Sequence, residues 1–148
     1  MGSLRKSVAV AAIAAATSTA GLVAVAPQAA ASPAPCSPAA RACVALGANA
    51  AWLMNGGAVT YGSVPITSGK PGYRTPKGSF KVTYKDIDHW SHSFNGPMPF
   101  SVFFTTTGVA FHEGSLSQLS HGCVHLSPEA ARVFYDSLAP GDVVEVVA

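Results

Sequence analysis

The residues best suited to chemistry lie near the C-terminus, where residues 120–125 read Ser-His-Gly-Cys-Val-His. Cys123 is a candidate thiol nucleophile, and a neighbouring imidazole that accepts its proton would raise the reactive thiolate fraction. His121 and His112 are the candidates for that base. The sequence favours His112, which comes from a separate segment, because a base held independently of its nucleophile is better oriented. Gly122 permits close approach of a substrate, and its amide and that of Cys123 are candidate oxyanion donors.

The same segment also allows metal binding. Positions 121, 123 and 125 alternate His, Cys and His, and His89 and His92 could supply further ligands for zinc or copper. However, the spacing matches no recognised metal motif, and no carboxylate partner stands near. We therefore expect no metal and favour thiol chemistry.

Residues 1–31 have the composition of a secretory signal peptide. Arg5 and Lys6 form a short basic start, residues 8–26 are mostly Ala, Val, Ile and Leu, and residues 29–31 form an A-x-A-like cleavage pattern. A membrane anchor is the alternative, because the apolar stretch approaches the roughly 20 residues that span a bilayer. The Ala-rich composition and the lack of a flanking stop-transfer cluster favour cleavage, so we expect an exported protein.

Export makes the cysteine count informative, because structural thiols tend to pair in an oxidising compartment. The chain has three cysteines, so one must remain unpaired. Cys36 and Cys43 form the simplest pairing, a local disulfide that leaves Cys123 as a free thiol. The alternatives for Cys123 are an inert buried cysteine and an intermolecular bridge.

Cleavage after residue 31 also changes the charge. It removes Arg5 and Lys6 from nine basic residues, which leaves seven against seven acidic residues. The mature chain therefore has no basic excess to follow a phosphate backbone, and we expect no nucleic-acid partner. Its length suits one small domain. We place a short N-terminal segment over residues 32–41 and the domain over residues 42–148.

The pattern along this domain predicts a mainly β fold with one principal helix near the C-terminus. Ser127 can cap the helix, Pro128 suits its first position, and an apolar stripe continues to Leu138. Asn-Gly-Gly at residues 55–57 predicts a hairpin turn. This order of elements puts His112 at a strand end. The predicted strands cover residues 42–46, 51–54, 58–61, 64–67, 79–84, 100–105, 109–112 and 143–147.

Residues 86–99 break the alternating pattern and contain histidines and aromatic residues, including Trp90 and Phe94. Long loops without secondary structure are often lids or binding loops. We therefore predict a loop that covers the substrate. The alternative is a loop whose Trp and Phe only fill the end of the sheet.

These features together resemble the L,D-transpeptidase catalytic domain, also called the YkuD fold. The resemblance rests on Ser-His-Gly-Cys at residues 120–123, the upstream His112, Thr-Pro-Lys-Gly-Ser-Phe at residues 75–80 and Gly-Asp-Val-Val at residues 141–144. It covers roughly residues 42–148. It implies a small β-sandwich or mixed-sheet domain that acts as a cysteine acyltransferase on peptidoglycan.

The resemblance implies a mechanism in which Cys123 attacks the penultimate peptide bond of a tetrapeptide stem. Cys123 would displace D-alanine and hold the stem as a thioester, with His112 as general base oriented by a nearby main-chain carbonyl. An amine of a neighbouring stem would then form a 3→3 cross-link, whereas water as acceptor would make the enzyme an L,D-carboxypeptidase. The resemblance implies no cofactor, neither metal nor ATP, and it implies acylation of Cys123 by carbapenem β-lactams.

The resemblance also assigns the remaining site residues. His121 would shape the site beside the catalytic pair. The substrate and oxyanion site would comprise Ser120, Gly122, Glu113 and His125. Two positions depart from the family's pattern: His125 stands where Arg or Asn is usual, and Glu113 stands where several relatives have Ser or Gly. Histidine is a shorter donor than arginine, and its charge depends on pH.

Partners follow from the same resemblance, and the location follows from the predicted signal peptide. We expect peptidoglycan stem peptides as substrates, secretion to the cell wall, and a monomer. A rival hypothesis is a secreted β domain without catalytic activity. Such a domain would bind wall glycopeptide through its aromatic segment, and Cys123 would be inert.

Overall fold

The computed structural model describes residues 33–148, so the predicted signal peptide lies outside the described residues. The described part is mainly β, as predicted, and none of its helices is long and apolar enough to cross a membrane. The elements are β1 (Ala42–Ala45), β2 (Ala50–Asn55), β3 (Ala58–Pro65), β4 (Gly78–Lys81), β5 (Tyr84–Ser91), β6 (Gly96–Phe103), β7 (Ala110–Glu113), β8 (Val124–Leu126), α1 (Pro128–Ser137) and β9 (Val143–Val147).

The strands form two mixed sheets. The first has the order β3-β2-β1-β9-β4, in which β1 and β9 run parallel and the other neighbours run antiparallel. The second has the order β5-β6-β7-β8, in which only β7 and β8 are parallel. The β-branched segment Val143–Val147 thus enters the interior of the first sheet, between β1 and β4.

The hydrophobic core joins both sheets to α1, which packs against β6, β7 and β8. Its aromatic centre consists of Phe104, Phe111 and Phe134, whose neighbouring ring centroids lie 4.9 and 5.1 Å apart. Burial of a side chain of this size stabilises the fold by roughly 2 kcal/mol. The core therefore holds β7 and β8 firmly. Buried aliphatic side chains around the rings include Val44, Leu53, Val102, Val124, Leu126 and Val144.

Helix α1 begins and ends with identifiable hydrogen bonds. The Ser127 hydroxyl accepts from the Ala130 amide at 3.2 Å, and Pro128 follows the cap, as the sequence predicted. The last turn of α1 has no basic residue of its own. Lys85 on β5 supplies the cation instead, because its Nζ donates to Tyr135 O at 2.6 Å and to Leu138 O at 2.8 Å.

The N-terminal segment covers the outer face of the first sheet. Cys36 and Cys43 form the predicted disulfide, with 5.7 Å between their Cα atoms. Next to it, the amide of Ser37 donates to the Glu145 carboxylate at 2.9 Å. Residues 34–40 thereby pack on a second apolar cluster that includes Trp52.

Residues 86–99 are not the structureless loop that the sequence predicted. They belong to a hairpin of β5 and β6, with Asp86 opposite Ser101 and Trp90 opposite Pro97. The prediction was wrong because β5 is half exposed along its length and therefore lacks an alternating apolar face. The predicted strand over residues 79–84 is likewise divided between β4 and the start of β5.

Candidate active site

The parallel pairing of β7 and β8 positions the two histidines of these strands. Phe111 lies opposite Val124, and His112 lies opposite His125. Because successive side chains alternate between the faces of a strand, Phe111 and Val124 enter the core, where both are fully buried. His112 and His125 share the other face, and Cys123 directly precedes β8. The sequence elements that carry the chemistry are therefore brought together by sheet pairing.

One cavity of about 590 Å³ is lined by five of the seven predicted site residues, whereas Gly122 and Glu113 are not in its lining. All five histidines of the chain line it, and no Lys, Arg, Asp or Glu is among its lining residues. Imidazoles are therefore the only basic side chains among the residues that line this cavity. The predicted site residues in the lining are His112, Ser120, His121, Cys123 and His125.

His112 is held as a neutral hydrogen-bond acceptor. Its Nδ1 lies 2.7 Å from Glu113 O, and a carbonyl only accepts, so Nδ1 carries the proton and Nε2 is the basic atom. The side chain is 6% exposed. Burial lowers the pKa of His112 to about 4 from 6.5; the hydrogen bond to Glu113 O opposes the shift, and the nearby His125 and His89 add to it.

Cys123 is a free, half-buried thiol. Burial raises its pKa above the ordinary 9.0, and a backbone hydrogen bond from Ala110 partly offsets this. Its Sγ also lies 3.9 Å from Gly108 O, a weak contact. Cys123 and His112 thus place a neutral thiol and a neutral imidazole in the same cavity.

A tight turn holds the backbone before the cysteine. The Ser120 hydroxyl donates to Cys123 O at 2.5 Å and accepts from the Gly122 amide at 3.0 Å. Gly122 has a φ of +122°, a backbone conformation that residues with a side chain rarely adopt. Its carbonyl accepts a hydrogen bond from the Thr75 hydroxyl at 2.7 Å. The Gly122 amide was predicted as an oxyanion donor, but it is occupied by the buried Ser120, so these two residues shape the turn.

His125 is anchored by groups that the sequence did not indicate. Its Nδ1 lies 3.1 Å from both Thr67 Oγ1 and Ser115 O, and its ring lies edge-on to His112 with 4.8 Å between centroids. Thr67 reaches His125 through an isolated bridge between distant segments, which leaves no mark in sequence spacing. Among the residues around His125, Gly114 is the one whose type could have indicated the contact, because glycine lets another group approach the backbone closely. A Cβ at Gly114 would lie 2.5 Å from the His125 ring.

His121 belongs to an aromatic rim at the mouth of the cavity. Its ring stacks on Phe94 at 4.2 Å and meets Tyr73 edge-on at 4.9 Å. Phe94 and Trp90 are 53% and 47% exposed, so they do not fill the end of the sheet as the alternative interpretation held. The hairpin that replaces the predicted loop therefore lines the cavity with its tip.

The metal-binding alternative requires a cluster of ligands. Within residues 33–148, no three His, Cys, Asp or Glu side chains come together in a way that could hold a metal ion. His89 is hydrogen-bonded to Asp86, with 3.0 Å between Nδ1 and the carboxylate. The expected absence of a metal stays a prediction.

Comparison with known proteins identifies the family. The family model described as YkuD, L,D-transpeptidase catalytic domain, matches residues 39–146. The chain belongs to this L,D-transpeptidase family. L,D-transpeptidase 1 of Mycobacterium tuberculosis (strain ATCC 25618 / H37Rv) is 31% identical, in an alignment that covers 57% of this chain and 41% of that protein. The chain thus spans less than half the length of the curated L,D-transpeptidases it matches.

Solved structures of L,D-transpeptidases share the fold. An L,D-transpeptidase from Stackebrandtia nassauensis superposes with a TM-score of 0.69 at 28% identity, over 72% of this chain and 54% of that one. The L,D-transpeptidase LdtMt1 in complex with imipenem gives a TM-score of 0.66 at 28% identity, over 70% of this chain and 56% of that one. The two mixed sheets with a C-terminal helix are thus an L,D-transpeptidase fold.

Proposed function

We propose that this protein is an exported L,D-transpeptidase that uses Cys123 as its nucleophile on peptidoglycan stem peptides. The observation that carries the proposal is a free thiol and an anchored, neutral imidazole in one cavity. Membership of the L,D-transpeptidase family supports an acyltransferase reaction. The predicted signal peptide supports export, and the disulfide is typical of an oxidising compartment such as the cell wall.

The first half-reaction forms the thioester. Nε2 of His112 takes the proton from Sγ of Cys123 as the sulfur attacks the carbonyl carbon of the penultimate peptide bond. The proton then passes to the nitrogen of the departing D-alanine. The backbone hydrogen bond from Ala110 favours the sulfur as it gains negative charge. The thioester retains the energy of the broken peptide bond, so the reaction needs no ATP.

The second half-reaction transfers the stem. An amine on a neighbouring stem attacks the thioester carbon, the C–S bond breaks, and a 3→3 cross-link results. Water is the competing acceptor and would yield the L,D-carboxypeptidase product. Both products arise from the same intermediate, so product analysis separates them.

The aromatic rim suits an acyl donor with apolar surface. Tyr73 and Phe94 of this rim are about half exposed, as is Trp90 in the cavity lining, and a contiguous patch of exposed apolar side chains marks an interaction site. The complex of the relative LdtMt1 with imipenem supports acylation of Cys123 by carbapenems. We therefore expect a covalent carbapenem adduct on Cys123 and on no other residue.

Intact-protein mass spectrometry with a disaccharide-tetrapeptide tests the proposal. The wild type should form a thioester adduct and a 3→3 dimer, and the Cys123→Ala variant should form no adduct and no product. Tripeptide without dimer would make the enzyme a carboxypeptidase. Muropeptide binding without an adduct or product would instead support the non-catalytic wall-binding domain.

A further inference from the structure

His125 presents a second imidazole whose tautomer follows from its partners. Its Nδ1 lies 3.1 Å from both Ser115 O and Thr67 Oγ1. The Thr67 hydroxyl has one proton, and its acceptors are Ser115 O at 2.6 Å and Gln118 O at 3.1 Å. If Nδ1 lacked a proton, its lone pair would face a carbonyl oxygen. Nδ1 therefore carries the proton, and Nε2 of neutral His125 carries a lone pair.

Nε2 of His125 is accessible from the cavity. Within residues 33–148, every buried side-chain nitrogen or oxygen has a hydrogen-bond partner, and the hydrogen bonds of the His125 ring involve Nδ1. Nε2 therefore keeps some accessible surface, and the ring lines the cavity. Gly114 confines the ring, because a Cβ there would lie 2.5 Å from Cγ and Cδ2. The acceptor nitrogen is therefore held in place where a substrate can reach it.

The surroundings of His125 keep it neutral. Burial lowers its pKa, the backbone hydrogen bonds of Ser115 and Gln118 oppose this, and His121 lowers the pKa further. The ring of His112 stands edge-on at 4.8 Å. No carboxylate or permanent cation is among the residues that line the cavity. Near pH 7, His125 therefore offers the cavity a hydrogen-bond acceptor, whereas an arginine at this position would offer only donors.

The transfer step needs two proton acceptors. An amine has an ordinary pKa of about 8 to 10, so it arrives near pH 7 as an ammonium and must lose two protons to become an amide N–H. One proton returns to the sulfur of Cys123 through His112. The second requires another acceptor, and His125 lies beside both groups: two residues from Cys123, with its ring 4.8 Å from that of His112.

We propose that His125 is a second general base, which receives a hydrogen bond and the surplus proton from the acceptor amine. The inference rests on the proposed function. The ammonium gives one proton to Nε2 of His125, and the resulting amine attacks the thioester carbon with formation of the C–N bond. His112 takes the second proton from that nitrogen and gives it to the sulfur as the C–S bond breaks. His125 then releases its proton to solvent.

The partition of the thioester between amine and water tests this role. The full-length enzyme is incubated with disaccharide-tetrapeptide and excess glycinamide, whose α-amine has an ordinary pKa of about 8, and the ratio of amide to hydrolysis product is measured by mass spectrometry. This ratio does not depend on the acylation rate or on the fraction of folded enzyme. His125→Asn retains an amide oxygen as acceptor but has no basic atom, and His125→Phe retains the ring shape but has neither.

At pH 6.5 only about 3% of an amine with a pKa of about 8 is neutral, so we expect the ratio to fall roughly 30-fold in His125→Asn and at least as far in His125→Phe. At pH 9 the amine is already neutral, so His125→Asn should return to within about threefold of the wild type, while His125→Phe should remain low. Asp136→Asn, on the exposed side of α1 and outside the residues that line the cavity, should leave the ratio unchanged at both pH values.

Each remaining outcome counts against the inference. A His125→Asn ratio equal to that of the wild type at pH 6.5, or a deficit that persists unchanged at pH 9, overturns the role of His125 as a base. If the wild type still forms the thioester and its products when the variants contradict this inference, the proposed function is unaffected. Absence of every product with the wild type overturns the proposed function and this inference with it.

Discussion

The neutral state of Cys123 and His112 has a direct consequence for the reactivity of the Cys123 thiol toward an alkylating reagent. Burial raises the pKa of Cys123 above 9.0 and lowers that of His112 to about 4. These pKa shifts therefore disfavour a thiolate–imidazolium pair in the protein without substrate. Raising the pH should activate the thiol only as it approaches the pKa of Cys123 itself, with no contribution from His112 titration.

The magnitude follows from the thiolate fraction. A thiol with a pKa of 9.0 is about 1% ionised at pH 7, and a raised pKa makes this fraction smaller still. The rate of alkylation by iodoacetamide should thus be below about 1% of its high-pH limit at pH 7. It should rise about tenfold per pH unit between pH 6 and pH 8.5, because the thiolate is the reacting species.

The assay is alkylation of intact protein followed by mass spectrometry. The chain has three cysteines, and Cys36 and Cys43 form a disulfide. Cys123 is therefore the cysteine that can be alkylated. The Cys123→Ala variant gives the background. An alkylation rate that is constant from pH 5 to pH 8 would show a preformed thiolate–imidazolium pair and would refute the reasoning from burial.

Three further predictions concern stability, each measured by urea unfolding. The folded-state pKa of His112, about 4, lies below the unfolded value of 6.5. Neutral His112 therefore contributes about 3 kcal/mol to the free energy of unfolding above pH 6.5, and this contribution is lost as pH falls toward 4. The pH dependence of stability should be weaker in His112→Asn, and an identical pH dependence in the variant would contradict the argument. Lys85→Met should lower the free energy of unfolding by about 2 kcal/mol, because two carbonyls at the end of α1 lose a charged hydrogen-bond donor. Lys81→Met on exposed β4 is the control and should have little effect. Equal effects of the two substitutions would argue against stabilisation of the helix end by Lys85. Replacing Cys36 and Cys43 together by Ala should lower the free energy of unfolding by about 2.5 kcal/mol, because the unfolded chain regains the entropy of the open loop. The proposed carbapenem acylation of Cys123 should not be reduced. A loss of acylation would show that the N-terminal segment also supports the site.

Local signals explain which elements the sequence could predict. Helix α1 was placed correctly because Ser127 and Pro128 act through adjacent backbone groups. The final strand was placed correctly because β-branched residues favour extended backbone. Strand β5 and the start of β6 were missed because β5 is half exposed and has no alternating apolar face, so its cross-strand register with β6 defines it. The buried second half of β6 lies within the predicted strand over residues 100–105.

The sequence by itself determined the chemistry available to this protein: one cysteine outside a local disulfide, histidines near it, and a motif shared with a family of acyltransferases. Only the tertiary structure decided what each group can do. Parallel pairing of β7 with β8 sets His112 beside His125, and Thr67, distant in sequence, orients the second ring. Burial then sets the protonation states. These properties depend on contacts between remote segments and on exclusion of water, which no local spacing of residues can specify.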